Sequence, residues 1–149
     1  ALAKAGVNIA LGTDGAASNN RLDLFQEMRQ AALLAKAVAG DAEAMPAHCA
    51  LRAATLGGAQ ALGLAERIGT IAPGKRADLT AVHIAGPGLL PCYDPASHLV
   101  YCAGREHVSH VWVNGRALVV AGVLQNSDAS GLDTCAKLWQ NTVKAHAES

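Results

Sequence analysis

Charge of one sign is missing from this chain: twelve Lys and Arg residues balance twelve Asp and Glu, and they are scattered along its length. Such a balance lacks the electrostatic footprint of a nucleic-acid binder or of a protein lying on a membrane surface, so the expected ligand is small or neutral. Also missing is any apolar run of the roughly 18 residues that a membrane-spanning helix requires. The first residues lack the charged and apolar regions of a signal peptide, so none is expected. The four cysteines, Cys49, Cys92, Cys102 and Cys135, form no C-x-x-C pair and lie far apart, which speaks against a structural zinc site or a redox motif. Reduced, mostly buried thiols are the expectation, and they fit a cytoplasmic location. Apolar bulk, by contrast, is plentiful. Hydrophobic residues make up 51% of the 149, and a chain of that length can bury roughly two thirds of its unfolded surface. One domain is therefore permitted and disorder is not expected.

The chemistry is concentrated near the start. Val7, Ile9 and Leu11 alternate with Asn8, Ala10 and Gly12, which is the period of a strand, and the Gly12 to Gly15 segment ends it. Asp14 then falls at the C-terminal end of that strand, the position where βα loops build the active-site mouth if the fold is a (β/α) barrel. The residues alone leave a second reading open, in which Asp14 and Asn20 merely shape a turn and cap the next helix. Ahead of the strand, Ala1 to Gly6 reads as the last turn of a helix stopped by Gly6.

Leu22, Phe25, Met28, Ala32 and Leu33 recur at three- and four-residue spacing, predicting an amphipathic helix over 21–39 with Asn20 as N-cap and Gly40 as its end. Pro46 suits the first turn of a second helix carrying Cys49, Leu51 and Ala54, which the Gly57-Gly58 pair is expected to break before a turn through Ala61 and Leu62. From Ile68 the texture changes to short β-like runs: 69–72, the Pro73-Gly74 turn, 79–84, 98–102, 108–113 and 117–120. Asn114-Gly115 predicts a type I′ hairpin between the last two. A final helix over 132–146 carries an apolar stripe of Leu132, Cys135, Leu138, Trp139 and Val143. Among the six histidines, His107 and His110 have a spacing used by metal pairs but stand far along the chain from Asp14. His48 is read as solvated or capping, and His83 and His146 carry no signal.

The run Gly12-Thr13-Asp14-Gly15-Ala16-Ala17-Ser18-Asn19-Asn20 resembles the end of the last barrel strand in the amidohydrolase superfamily, in the branch of methylthioadenosine and S-adenosylhomocysteine deaminases and triazine hydrolases. Further matches follow in family order: Ala53 to Gly63, Ile68 to Leu79 with its Pro73-Gly74-Lys75-Arg76-Ala77-Asp78-Leu79 turn, Asp94 to Tyr101, and Val111 to Gly115. The resemblance implies an α/β fold that is the C-terminal part of such an enzyme. Residues 1–66 would be the last strand and helices of a (β/α)8 TIM-like barrel, 67–128 the C-terminal share of a small β-sandwich, and 129–149 a C-terminal helix.

In that family a zinc ion is held by an H-x-H on the first strand, by histidines on middle strands and by an aspartate on the last. This chain offers the aspartate alone. The resemblance thus implies Asp14 as both metal ligand and catalytic proton carrier in the complete enzyme, with Zn2+ or another divalent metal as cofactor. It implies that Ser18, Asn19 and Asn20 either orient a purine or triazine ring or brace the loop, and that His98 holds the small domain against the barrel. The parent reaction would be hydrolytic deamination of a purine nucleoside or related heterocycle. Triazine chlorohydrolysis is an alternative within the enzymes, and a non-catalytic folded remnant or interaction module is an alternative outside them. The expected partners are a small heterocyclic substrate and either a second copy or the N-terminal part of the barrel, with no nucleic acid and no membrane.

Overall fold

The computed structural model describes residues 5–125 and 129–147. Its first helix, α1, spans Leu24–Ala39. Asp23 caps it, its Oδ1 accepting from the Phe25 and Gln26 N–H groups at 3.1 and 3.4 Å. The cap is therefore Asp23 and not the expected Asn20, because a turn built on the Asn19 side chain carries the chain three residues further first. Gly40, at φ 61°, closes the helix as expected. Met28 and Ala32 are buried and Phe25 half-buried, in agreement with the spacing, whereas Leu33 turns outward at 51% exposure. A carboxylate buried to 6% exposure that satisfies two helix N–H groups is not easily replaced. Asp23→Ala is expected to cost about 1 to 2 kcal/mol, the upper part of the capping range, and Asp23→Asn much less; urea unfolding of the two variants checks this.

The second helical segment runs without interruption through α2 (Ala47–Arg52), a π turn (Ala53–Gly57) and α3 (Gly58–Ala61). The Gly57-Gly58 pair does not break it. Both glycines have helical dihedrals, and Gly57 is required for another reason: a Cβ there would overlap the carbonyl oxygen of Ile9. Gly63, with φ 69°, marks the end instead.

Residues 98–102, expected as a strand, lie mostly in a helix, α4 (Pro95–Tyr101). The Asp94 carboxylate accepts from the Ala96 and Ser97 N–H groups and from the Ser97 hydroxyl at 2.6 Å, with Pro95 in the first turn. Capping of this kind outweighs the β propensity of Val100 and Tyr101. The Ser97 hydroxyl, ahead of the backbone bonds, holds the Asp94 carboxyl below its usual range. The core lies where α1, α2 and α4 meet, at Met28, Ala32, Ala47, Ala50 and Val100, with Leu11, Phe25 and Tyr101 against it.

The β portion is one four-stranded antiparallel sheet in the order β1 (Leu79–Val82), β2 (Val108–Val113), β3 (Arg116–Val120) and β4 (Val123–Leu124). Asn114 and Gly115, at φ 51° and 79°, make the expected hairpin between β2 and β3. Asp78 anchors that turn by accepting from the Asn114 N–H at 2.6 Å. Residues 69–72 form no strand.

The last helix, α5 (Ala129–Ala147), contains the expected 132–146 span, and its Leu132, Leu138, Trp139 and Val143 stripe is exposed. The thiols also differ from expectation. Cys49, Cys102 and Cys135 are exposed and Cys92 half-buried, all free, since alanines and Val100 occupy the inward positions of α2 and α4. No described helix is long and apolar enough to cross a membrane.

Candidate active site

Val7 to Leu11 was expected as a strand and forms none: the only sheet among the described residues is β1 to β4. A strand exists through its ladder, and no described segment runs beside this one to make it. The segment is held by helix instead. Leu11 donates its N–H to the Ala53 carbonyl at 3.1 Å, and Asn8 Nδ2 donates to the Gly57 carbonyl at 2.9 Å.

This anchored segment delivers Asp14 to an exposed turn. Asp14 has φ 59°, in the left-handed region that Asp and Asn tolerate better than other side-chain-bearing residues. Its Oδ1 accepts from the Gly15 N–H at 2.6 Å. That N–H favours the ionised form and holds the Asp14 carboxyl below the usual carboxylate range. The group is thus a charged, accessible carboxylate near neutral pH.

Around it, the Gly15 carbonyl accepts from the Ser18 and Asn19 N–H groups, each at 3.0 Å, and from the Ser18 hydroxyl at 3.2 Å. Asn19 is half-buried. Its Nδ2 donates to Glu27 Oε1 at 2.7 Å, and its Oδ1 accepts from the Arg21 and Leu22 N–H groups at 3.0 and 3.4 Å. Ser18 and Asn20 are exposed. Sequence reasoning missed the braces behind the loop. Glu27 stands eight residues from Asn19, Arg29 reaches the Ala103 carbonyl at 2.8 Å, and Arg105 reaches the Arg21 carbonyl at 3.2 Å. No local motif announces pairings across 74 and 84 residues.

The histidines stay apart from this turn in their bonding. His107 Nδ1 accepts from the Gly104 N–H at 3.0 Å, so its lone pair is engaged and Glu106 at 3.5 Å is a neighbour rather than an ion partner. His110 stacks on Trp112 at 5.3 Å and pairs with the Ser109 hydroxyl. His98, on α4, lies 3.2 Å from the Asp94 carbonyl one turn back. A catalytic zinc takes about three protein ligands. Among the described residues no three or more His, Cys, Asp or Glu side chains gather to hold a metal, so these residues do not by themselves fit one. Asp14 supplies a single carboxylate.

Residues 1–118 match the profile of the amidohydrolase family, and the chain belongs to that family. It is 46% identical over 145 residues to the 5-methylthioadenosine/S-adenosylhomocysteine deaminase of Teredinibacter turnerae, covering 97% of this chain and 33% of that protein. Among solved structures it is similar to an adenosine deaminase from Xanthomonas campestris with bound zinc, with TM-score 0.93, 48% identity and coverage of 97% of this chain and 33% of that one. A triazine hydrolase variant is similar at TM-score 0.82 and 28% identity, with coverage of 91% and 30%. The chain thus spans about a third of the length of the curated relatives it matches.

Proposed function

We propose that this chain is the C-terminal part of a zinc-dependent amidohydrolase that removes an amino group hydrolytically from a purine nucleoside, and that Asp14 carries its proton transfers. The observation that carries the reading is the placement of Asp14: an ionised, exposed carboxylate at a turn held in a left-handed conformation, in a family whose similar structures bind zinc. In the reaction, water adds to the ring carbon bearing the amino group and ammonia leaves. Asp14 takes a proton from the attacking water at its carboxylate and hands it to the departing nitrogen. A zinc ion in the complete enzyme would supply Lewis-acid polarisation, with Asp14 as one ligand and the others from outside the described residues.

In this reading the Val7 to Leu11 segment and the helices through α3 are the closing unit of a (β/α)8 barrel, and the sheet belongs to the small β domain. Ser18 and Asn20, exposed beside Asp14, are the groups of the loop open to a heterocycle. Deamination is favoured over triazine chlorohydrolysis by 48% identity to an adenosine deaminase against 28% to a triazine hydrolase. The exposed stripe on α5 and the unladdered Val7 to Leu11 segment are faces for the rest of a family-length chain.

A second reading, a non-catalytic folded module, is favoured for the isolated chain because among the described residues no three or more His, Cys, Asp or Glu side chains gather to hold a metal. One comparison separates the two. The 149-residue chain alone is expected to release no ammonia from 5-methylthioadenosine above a zinc blank, while a fusion to the preceding two thirds of a family deaminase releases it. Zinc-dependent turnover by the chain alone would overturn the assignment of the remaining ligands to residues elsewhere, and an inactive, folded fusion would favour the module.

A further inference from the structure

We infer that Asn19 and Glu27 are positioning residues for Asp14, forming a tether that locks the catalytic turn to the first turn of α1. The inference rests on the reading of Asp14 given above, but the geometry that carries it stands in this chain. Asn19 was read from the sequence as a group for substrate or for the loop. Its amide is taken at both ends by the protein: Nδ2 donates to the Glu27 carboxylate at 2.7 Å, and Oδ1 accepts from two backbone N–H groups. The orientation of the amide follows from its neighbours, because a carboxylate can only accept and a backbone N–H can only donate.

From Asn19 the connection runs inward by two routes to the Asp14 turn. Its own N–H and that of Ser18 converge on the Gly15 carbonyl, and the Gly15 N–H bonds the Asp14 carboxylate. On the other side Glu27 is one residue before Met28, a buried member of the core, and two before Arg29, which ties α1 to the Ala103 carbonyl. A turn that projects into solvent is thereby fixed to α1 by a side-chain bond, while Arg105 holds the Arg21 carbonyl further along the loop. Without it, the four small residues from Gly15 to Ser18 keep only the turn's own bonds to the Gly15 carbonyl, since the Arg105 contact acts three residues beyond them.

The bond can be reversed as well as broken. Asn19→Asp sets two carboxylates against each other and removes the donor, while Glu27→Gln keeps an acceptor for Asn19. The pair Asn19→Asp with Glu27→Gln exchanges donor and acceptor and restores the bond. Backbone amide order parameters from 15N relaxation read the outcome in the 149-residue chain. Residues 14–19 are expected near about 0.85 in the unaltered protein and in Glu27→Gln, to fall below about 0.6 in Asn19→Asp and Glu27→Ala, and to recover in the reversed pair. Met28 and Ala32 are expected to stay rigid throughout.

Unchanged order in Asn19→Asp, failure of the reversed pair to recover it, or loss of order at Met28 and Ala32 in Asn19→Asp would each overturn the tether, whether or not the protein deaminates anything. In a family-length fusion with deaminase activity, Glu27→Ala is expected to lower kcat about tenfold with KM within twofold. A KM effect from Asn19→Asp with none from Glu27→Ala would instead return Asn19 to the substrate.

Discussion

Asp14→Asn, in a family-length enzyme carrying this chain, is expected to lower kcat by about 10² to 10⁴ with the fold unchanged, the span typical of a lost acid or base. Asparagine keeps the shape while removing both the proton acceptor and the charge offered to the metal, so bound zinc is measured beside kcat. It is nearly the same shape, it tolerates the left-handed φ of 59° at this position, and its carbonyl oxygen can still accept from the Gly15 N–H that now holds Oδ1 at 2.6 Å. What it cannot do is take a proton from water. Steady-state ammonia release gives kcat, and circular dichroism with urea unfolding establishes that the fold persists. A variant that kept kcat within a factor of a few would leave Asp14 as the turn-shaping residue its neighbours also permit.

The second large effect comes from two adjacent glycines with opposite expected signs. Gly57 and Gly58 both have helical dihedrals, near φ −60°, so helix propensity alone predicts that alanine stabilises each by about 0.5 to 1 kcal/mol. At Gly58 nothing opposes this, since a Cβ would meet only the Ala53 carbonyl oxygen at 3.9 Å. Gly57 is different. Its Cβ would overlap the backbone oxygen of Ile9, which cannot rotate away as a side chain could. Overpacking costs about 1 to 3 kcal/mol and exceeds the propensity gain, so Gly57→Ala is expected to destabilise by up to about 2 kcal/mol and to push the Val7 to Leu11 segment off the π turn. Urea midpoints should therefore move in opposite directions for the two variants. A stabilised Gly57→Ala would mean that the close approach of Ile9 is not maintained.

Much of the fold was legible where the signal is local. The Met28 and Ala32 spacing, the Gly40 stop, the Asn114-Gly115 turn and the apolar stripe of the last helix depend on residues a few positions apart, and all are present. What misled was tertiary or competing. The Val7 to Leu11 alternation is a genuine strand period, yet a ladder needs a partner that the described residues do not supply. Gly57-Gly58 looked like a break because glycine is a poor helix former, whereas Gly57 answers to a backbone 48 residues earlier in the chain. In the 98–102 run β-forming residues drew the eye from Asp94-Pro95, a helix start. Asp14 stood out from its motif, but Glu27 did not, because a carboxylate on a helix gives no sign that it faces an amide in the preceding loop.

The π turn at Ala53–Gly57 has a consequence for how this family can change length. Each residue of a helix turns the chain by about 100°, and a π turn holds one residue more than a regular turn would in the same rise. Removing one residue there would close it to an ordinary turn and leave the helix beyond facing much as before, whereas inserting a second extra residue would swing everything beyond it by about 100°. After such an insertion Ala59 would leave the place where the bare α-carbon of Gly69 lies against it, and Gly57 would no longer face Ile9. Thr55 is exposed, so that position would accept many side chains by substitution, whereas Ala53 and Gly57 are buried. Its residue count is another matter: the loss of one residue here should be better borne than the gain of one.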